Sequence, residues 1–149
     1  IANLLFQFCG MPFSDLAHLE KSNLKQGLLK YNRLKTGTPM SIEVLESAHN
    51  AIGGLYNKTD ARSPDYPDYL FRILSGAYKR EEEEAYREYQ SALRRFNNDL
   101  KSLSRKLRLH SPVTSYSEGS ALEISRHVLH ASSFLGYDCQ VQRCSYRDD

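Results

Sequence analysis

Three polar side chains near the C-terminus have a spacing that suits metal binding. Glu123, His127 and His130 follow one another at steps of four and three residues, so on a helix they share one face. Carboxylate and imidazole groups on such a face can bind a divalent metal. A second helix would have to contribute Glu46 and His49, which have the Glu-x-x-His spacing. A metal- or small-ligand-binding helical bundle is therefore one alternative for the function.

The same residues fall short of a known type of metal site. Carboxylate-bridged di-iron bundles need two Glu-x-x-His pairs. This chain offers one at Glu46, whereas Glu123 and His127 are four residues apart. His49 also fits a histidine that packs in a helical core and hydrogen-bonds to a neighbour. We therefore expect no resident metal and no cofactor.

The sequence motifs of common hydrolases and nucleotide-binding enzymes are missing. The chain contains no Gly-x-Ser-x-Gly motif and no glycine-rich phosphate-binding loop. Its acidic run at residues 81–84 fits a solvated helix face better than a pair of catalytic carboxylates. We therefore expect a protein that is not an enzyme.

The cysteines and one sequon bear on the compartment. In an oxidising compartment Cys9 could pair with the C-terminal tail, or Cys139 with Cys144, which leaves one thiol for a disulfide-linked dimer. Asn57 begins an Asn-Lys-Thr glycosylation sequon, and the chain starts at Ile1 instead of Met. Together these features favour a secreted glycoprotein. The alternative is an intracellular helical adaptor or assembly subunit with reduced thiols, and intact mass before and after reduction distinguishes the two.

The charge is nearly balanced overall but uneven along the chain. Twenty Lys and Arg residues stand against eighteen Asp and Glu, an excess too small for a dedicated nucleic-acid-binding domain. Residues 91–110 nevertheless hold six basic side chains and a single acidic one. A polyanion-binding helical protein is a further alternative, with its site at Arg94, Arg95, Lys101, Arg105 and Arg108. No apolar run approaches the roughly 18 residues of a membrane span, so we expect no transmembrane segment.

Tyrosines and arginines mark the surface where we expect a partner. Both residue types are enriched at protein interfaces, and residues 78–95 mix them with a charged flank. The leading interpretation is a secreted, non-enzymatic recognition module that binds a protein partner, or a second copy of itself, through a helical face. The predicted partner-binding residues are Tyr78, Tyr86, Arg87, Arg94 and Arg95.

The element that would position these residues is a long amphipathic helix. Apolar residues repeat at steps of three and four from Tyr86 to Leu107, which predicts one apolar stripe on a helix. We expect a long central helix at about residues 67–109, either continuous and bent or broken near Gly76. Similar spacings predict further helices at about residues 15–35, 39–56 and 121–135.

These helices predict an all-α fold. The expected architecture is an antiparallel bundle of four to five helices, in which shorter helices cover the apolar stripe of the central one. Residues 1–149 would form a single helical domain. The N-terminal segment at residues 1–13 could be tied to the C-terminal tail at residues 136–149 by a disulfide from Cys9, if Cys139 does not pair with Cys144.

Overall fold

The protein combines helices with a small antiparallel sheet. The computed structural model describes residues 1–8, 10–61, 63–106, 108 and 114–115. The elements in chain order are α1 (Ala2–Gln7), α2 (Phe13–Ala17), a 3-10 turn (Lys21–Asn23), β1 (Leu24–Lys25), β2 (Leu28–Asn32), β3 (Pro39–Glu43), α3 (Glu46–Leu55) and α4 (Glu83–Lys106). The three strands pair in the order β1-β2-β3. The prediction of an all-α bundle of four to five helices is therefore wrong.

Strands β1 and β2, with the turn between them, occupy residues 24–32 of the helix predicted at residues 15–35. They form a hairpin around Gln26 and Gly27, whose φ angles of 51° and 77° are those of a type I′ turn. Burial along β2 alternates, with Leu29 and Tyr31 inside and the residues between them exposed. Glycine inside a helix costs about 1 kcal/mol relative to alanine, whereas here it supplies the positive φ that the turn requires.

Strand β3 replaces the first half of the helix predicted at residues 39–56. It pairs antiparallel with β2, and Ile42 lies opposite Leu29 in the buried face of the sheet. Pro39 stands at the start of this edge strand, where a missing N–H is tolerated. Helix α3 begins only at Glu46 and buries Ala48 and Ile52 against the same core.

An extended segment at residues 68–72 takes the place of the first turns of the predicted central helix. Tyr69, Leu70 and Phe71 are buried in succession. The Leu70 N–H donates to Leu19 O (2.7 Å), and the Arg72 N–H donates to Leu55 O (2.9 Å). A short apolar run fits an extended segment as well as a buried helix turn, and here Tyr69 and Phe71 each form an isolated β-bridge instead of a helix. The prediction of a helix over residues 67–109 is therefore wrong, since α4 begins at Glu83.

Ion pairs join residues 68–72, which we call the crossing segment, to the 3-10 turn. Lys21 Nζ lies 2.9 Å from Asp68 Oδ1 and 2.9 Å from Asp60 Oδ1. The hydrogen bonds to Asp68 and Asp60 raise the pKa of Lys21 above its ordinary value, so its ammonium stays charged. Arg80 also pairs with Glu20. The crossing segment and the loop before it are therefore tied to the same turn.

The apolar side chains form two adjoining clusters. The first lies between the sheet, α1, α3 and the crossing segment, with Leu4, Phe8 and Leu29 among its members. The second joins α4 to α2, where the Phe13 ring stacks on Phe96 with 4.6 Å between centroids. Among the described residues, no helix is long and apolar enough to span a bilayer. The helix predicted at residues 121–135 lies outside the described part of the chain, and a single domain over residues 1–149 stays a prediction.

Candidate functional site

Helix α4 presents one face to the core and the opposite face to solvent. Its 24 residues begin with Glu83 and Glu84 and end with Arg105 and Lys106, an order that complements the helix dipole. The inner face is formed by residues that pack in the second cluster, namely Ala92, Leu93, Phe96 and Leu100. On the outer face, side chains such as Arg94 and Lys101 are exposed to solvent.

The outer face carries a straight row of exposed cations. At about 100° of turn and 1.5 Å of rise per residue, four basic side chains fall within about 40° of one another and over roughly 27 Å of helix. They are all exposed, and they lie opposite the buried stripe. We call this row the cationic stripe; its members are Arg87, Arg94, Lys101 and Arg105.

Most of this positive charge is uncompensated. Arg87 Nη2 lies 2.7 Å from Glu83 Oε1, one helical turn earlier. No other carboxylate of the described residues forms an ion pair with a member of the stripe. Three adjacent like charges with no counter-charge raise the local potential and attract anionic groups.

The predicted partner-binding residues do not all lie on this face. Tyr86 is 62% exposed and lies on the flank of the stripe above buried Leu93. Arg95 comes nine residues after Tyr86, which places it about 180° away on the opposite flank. Tyr78 is exposed in the segment that precedes α4. The structure thus brings together Arg87, Arg94 and Tyr86, but not Arg95, and their binding role stays a prediction.

The flank that carries Arg95 is mixed in charge. Glu84 and Glu88 lie on the same side of α4 as Arg95, by the same helical geometry. The Glu88 carboxylate accepts hydrogen bonds from the Ser75 N–H (2.8 Å) and the Ser75 hydroxyl (3.2 Å). This flank therefore joins α4 to the preceding segment, and its net charge is lower than that of the stripe.

The residues of the predicted polyanion site also do not all lie on the cationic stripe. Arg94, Lys101 and Arg105 belong to the stripe, whereas Arg108 lies beyond the end of α4 with a positive φ of 53°. Counting charges along the sequence identified the basic region but not its arrangement. The missed signal is the seven-residue spacing of Arg87, Arg94 and Lys101, which places them on one line of a helix.

The predicted metal ligands are only partly described. Glu46 and His49 are exposed in the first turns of α3, so His49 does not pack in the core. Among the described residues, no three His, Cys, Asp or Glu side chains come together as a metal site. The other predicted ligands lie outside the described residues, namely Glu123, His127 and His130. Metal binding stays a prediction.

The cysteines and the sequon, from which the sequence predicts a secreted protein, are also only partly described. Cys9, Cys139 and Cys144 lie outside the described residues. Asn57 is buried, its Oδ1 accepts a hydrogen bond from the Thr59 N–H (3.1 Å), and its own N–H donates to Leu70 O (2.9 Å). The sequon therefore lies in a turn that is hydrogen-bonded to Leu70, and glycosylation of Asn57 stays a prediction.

Sequence reasoning missed one buried carboxylate. The Asp15 side chain, in α2, is 3% exposed. Its Oδ1 accepts the Leu34 N–H at 3.3 Å, and its Oδ2 lies 4.0 Å from Arg33 Nε. Neither Oδ2 nor Arg33 Nε has a hydrogen-bond partner among the residues that the structure describes. Burial raises the pKa of Asp15 above its ordinary value, and the Leu34 N–H and the Arg33 charge offset this only in part.

The surroundings of Asp15 point to a structural role. Burial raises the pKa of the neighbouring Tyr31 to about 12, with the Asp15 charge adding to the effect, so this phenol stays neutral. The His18 ring nitrogen Nδ1 lies 2.8 Å from Ser14 O and so is bound to backbone. Asp15 therefore joins α2 to the loop after β2.

We expect Asp15→Asn to remove a pH dependence from the stability. The native pKa of Asp15 lies above its unfolded value, so the native state binds more protons between these two values and loses stability as pH rises. Asparagine keeps an acceptor for the Leu34 N–H, and Arg33 remains partly solvated. The free energy of unfolding of the variant, relative to the original protein, should therefore increase from pH 4 to pH 7 in urea titrations.

The matched control is Asp99→Asn, the same chemical change at an exposed position on α4. Its free energy of unfolding should differ from that of the original protein by less than about 0.5 kcal/mol at each pH. A difference between Asp15→Asn and the original protein that is constant from pH 4 to pH 7 would contradict the prediction.

Comparison with protein-family models, curated proteins and solved structures gives no match to this chain. The function therefore has to be inferred from the chain's own residues.

Proposed function

We propose that this protein is a non-enzymatic recognition module that binds an acidic segment of a protein partner through the outer face of α4. The observation that carries the proposal is the cationic stripe, in which Arg94, Lys101 and Arg105 are exposed and have no acidic partner among the described residues. Complementary charge accelerates encounter and fixes the orientation of a bound partner.

A protein partner fits this surface better than a long nucleic acid or sulfated polysaccharide. Tyr86 offers an exposed aromatic ring beside the cations, and tyrosine and arginine dominate the binding energy of protein interfaces. The start of α4 carries Glu83 and Glu84, which would repel a polyanion that continued along the helix. A short acidic segment can end before this acidic turn.

A second copy of the chain is a poor occupant of the same face. Two copies joined through the stripe would place Arg94 and Lys101 of each chain against like charges. A homodimer, whether or not linked by a disulfide, would have to use another surface.

The proposed function is tested by reversing charges on the stripe. The variant Arg94→Glu with Lys101→Glu should bind a decaglutamate peptide about tenfold to a hundredfold more weakly, since each reversed charge removes an attraction and adds a repulsion. Fluorescence anisotropy of a labelled peptide at low and at physiological salt measures this change. Binding to the original protein should weaken as salt is raised.

The matched control reverses two cations on the flank of the same helix. Arg95→Glu with Lys106→Glu changes the net charge equally, but these residues lie away from the stripe. It should keep most of the affinity for the peptide. Equal losses in the two variants would show a net-charge effect and contradict the stripe as a site. Tighter binding of a heparin fragment than of the peptide would contradict the protein partner and favour the polyanion alternative.

Secretion is a separate proposal, supported by the sequon at Asn57 and the three cysteines. Complete reduction of the thiols and an absence of glycan in natively produced protein would contradict it and favour the intracellular adaptor. The binding face of α4 contains no cysteine, so the proposed recognition does not depend on the compartment.

A further inference from the structure

The spacing within the cationic stripe restricts the shape of the partner. From Arg87 the members follow at steps of seven, seven and four residues. On a helix these steps place charges at roughly 0, 10.5, 21 and 27 Å along one straight line. A partner segment that meets all four charges must therefore present anionic groups at the same intervals along a straight axis.

An extended acidic segment matches these intervals less well than a helix does. Side chains on one side of an extended chain recur about every 6.7 Å, so none falls opposite the charge at about 10.5 Å without a shift of about 3 Å. A second helix has the same rise per residue as α4. Its carboxylates at steps of seven, seven and four residues would face all four cations together.

The form of α4 also favours a helical partner. Helix α4 runs without interruption for 24 residues, and the whole stripe lies within it. Two helices that pack at about 20° stay side by side over this length, so that successive charges remain paired. Tyr86, at one edge of the stripe, would lie against the side of such a helix.

We propose that the partner segment is an acidic α-helix that lies along α4, with its carboxylates on one face at the steps of the cationic stripe. This inference rests on the proposed function and adds the conformation and spacing of the ligand. A partner helix that carries glutamates on one face, at positions i, i+4, i+7, i+11, i+14 and i+18, can pair with the cationic stripe whether it runs parallel or antiparallel to α4.

The test uses two synthetic alanine-based peptides of about 25 residues with equal numbers of glutamates. One peptide carries the glutamates on the single face given above, and the other distributes them around the helix. We expect the single-face peptide to bind the full chain at least about tenfold more tightly in fluorescence anisotropy. Its helical circular dichroism should increase on binding. The variant Arg94→Glu with Lys101→Glu should abolish this preference.

The results of these binding experiments distinguish the helical partner from the proposed recognition of acidic segments. Equal affinities for the two peptides, with both weakened by the stripe variant, would overturn the helical partner and leave the acidic recognition site standing. A proline placed in the middle of the single-face peptide should reduce its binding, and unchanged binding would also overturn the helical partner. Failure of every acidic peptide to bind would overturn the proposed function itself.

Discussion

Replacement of Phe71 by alanine should lower the free energy of unfolding by about 3–5 kcal/mol. The Phe71 ring is completely buried in the first apolar cluster, and its backbone lies beside Tyr56 in a β-bridge. Removal of the ring leaves a cavity that the sheet and α3 cannot fill without moving. Urea unfolding followed by far-ultraviolet circular dichroism measures the loss.

The control for Phe71 is Leu34→Ala, which removes an apolar side chain that is 54% exposed. The Leu34 N–H still donates to Asp15 in this variant, so its stability should change by less than about 0.5 kcal/mol. A loss below about 1 kcal/mol for Phe71→Ala would contradict the placement of residues 68–72 inside the core.

Replacement of Gly76 by alanine should destabilise the protein by about 1–3 kcal/mol from the backbone alone. Gly76 has a φ of 68°, and an added Cβ would lie 2.8 Å from the carbonyl oxygen of Pro67. This oxygen belongs to the backbone and cannot move aside without shifting the crossing segment, so the close contact adds to the loss. The same urea titration measures the change.

The control for Gly76 is the same substitution at Gly53. Gly53 lies inside α3, and an added Cβ there would have no heavy atom within 4 Å. Alanine should therefore raise the free energy of unfolding by about 0.5–1 kcal/mol, because it is the better helix former. A Gly76→Ala variant as stable as the original protein would show that the turn at residues 72–76 differs from the one described.

The sequence predicted the inner face of α4 and a helix that includes α3, but not the sheet or the crossing segment. Leu93, Phe96 and Leu100 repeat over several turns, and a long periodic pattern is a strong signal for a helix. Leu24, Leu28 and Tyr31 repeat in the same way over only two turns. There the decisive residue is Gly27, whose positive φ closes a hairpin, and the helical spacing around it is accidental.

The crossing segment was not predictable from local pattern. Leu70 pairs with Leu19, and Arg72 with Leu55, and the run of buried residues between them fits either a helix or a strand. Contacts between residues distant in the chain override local propensity for such short elements. For the same reason the helix at residues 67–109 was extended too far towards the N-terminus.

The candidate site was only partly visible in the sequence. The excess of basic residues after residue 90 could be counted, but their grouping into a stripe and a flank depends on the direction of each side chain on α4. The residues next to Asp15 in the sequence do not indicate that it is buried, because its burial depends on a loop 19 residues away. Its raised pKa is a consequence of tertiary packing and not of a motif.

The crossing segment also governs the order in which the chain can fold. The β1–β2 hairpin closes a loop of two residues, a local event that takes about 1–10 μs. The contact of Leu19 with Leu70 closes roughly 50 residues, and the entropic cost of closure grows with loop length. During synthesis the hairpin and α3 therefore emerge while Leu70 and Phe71 are still missing from their apolar cluster. The core is complete only when residues 68–72 arrive.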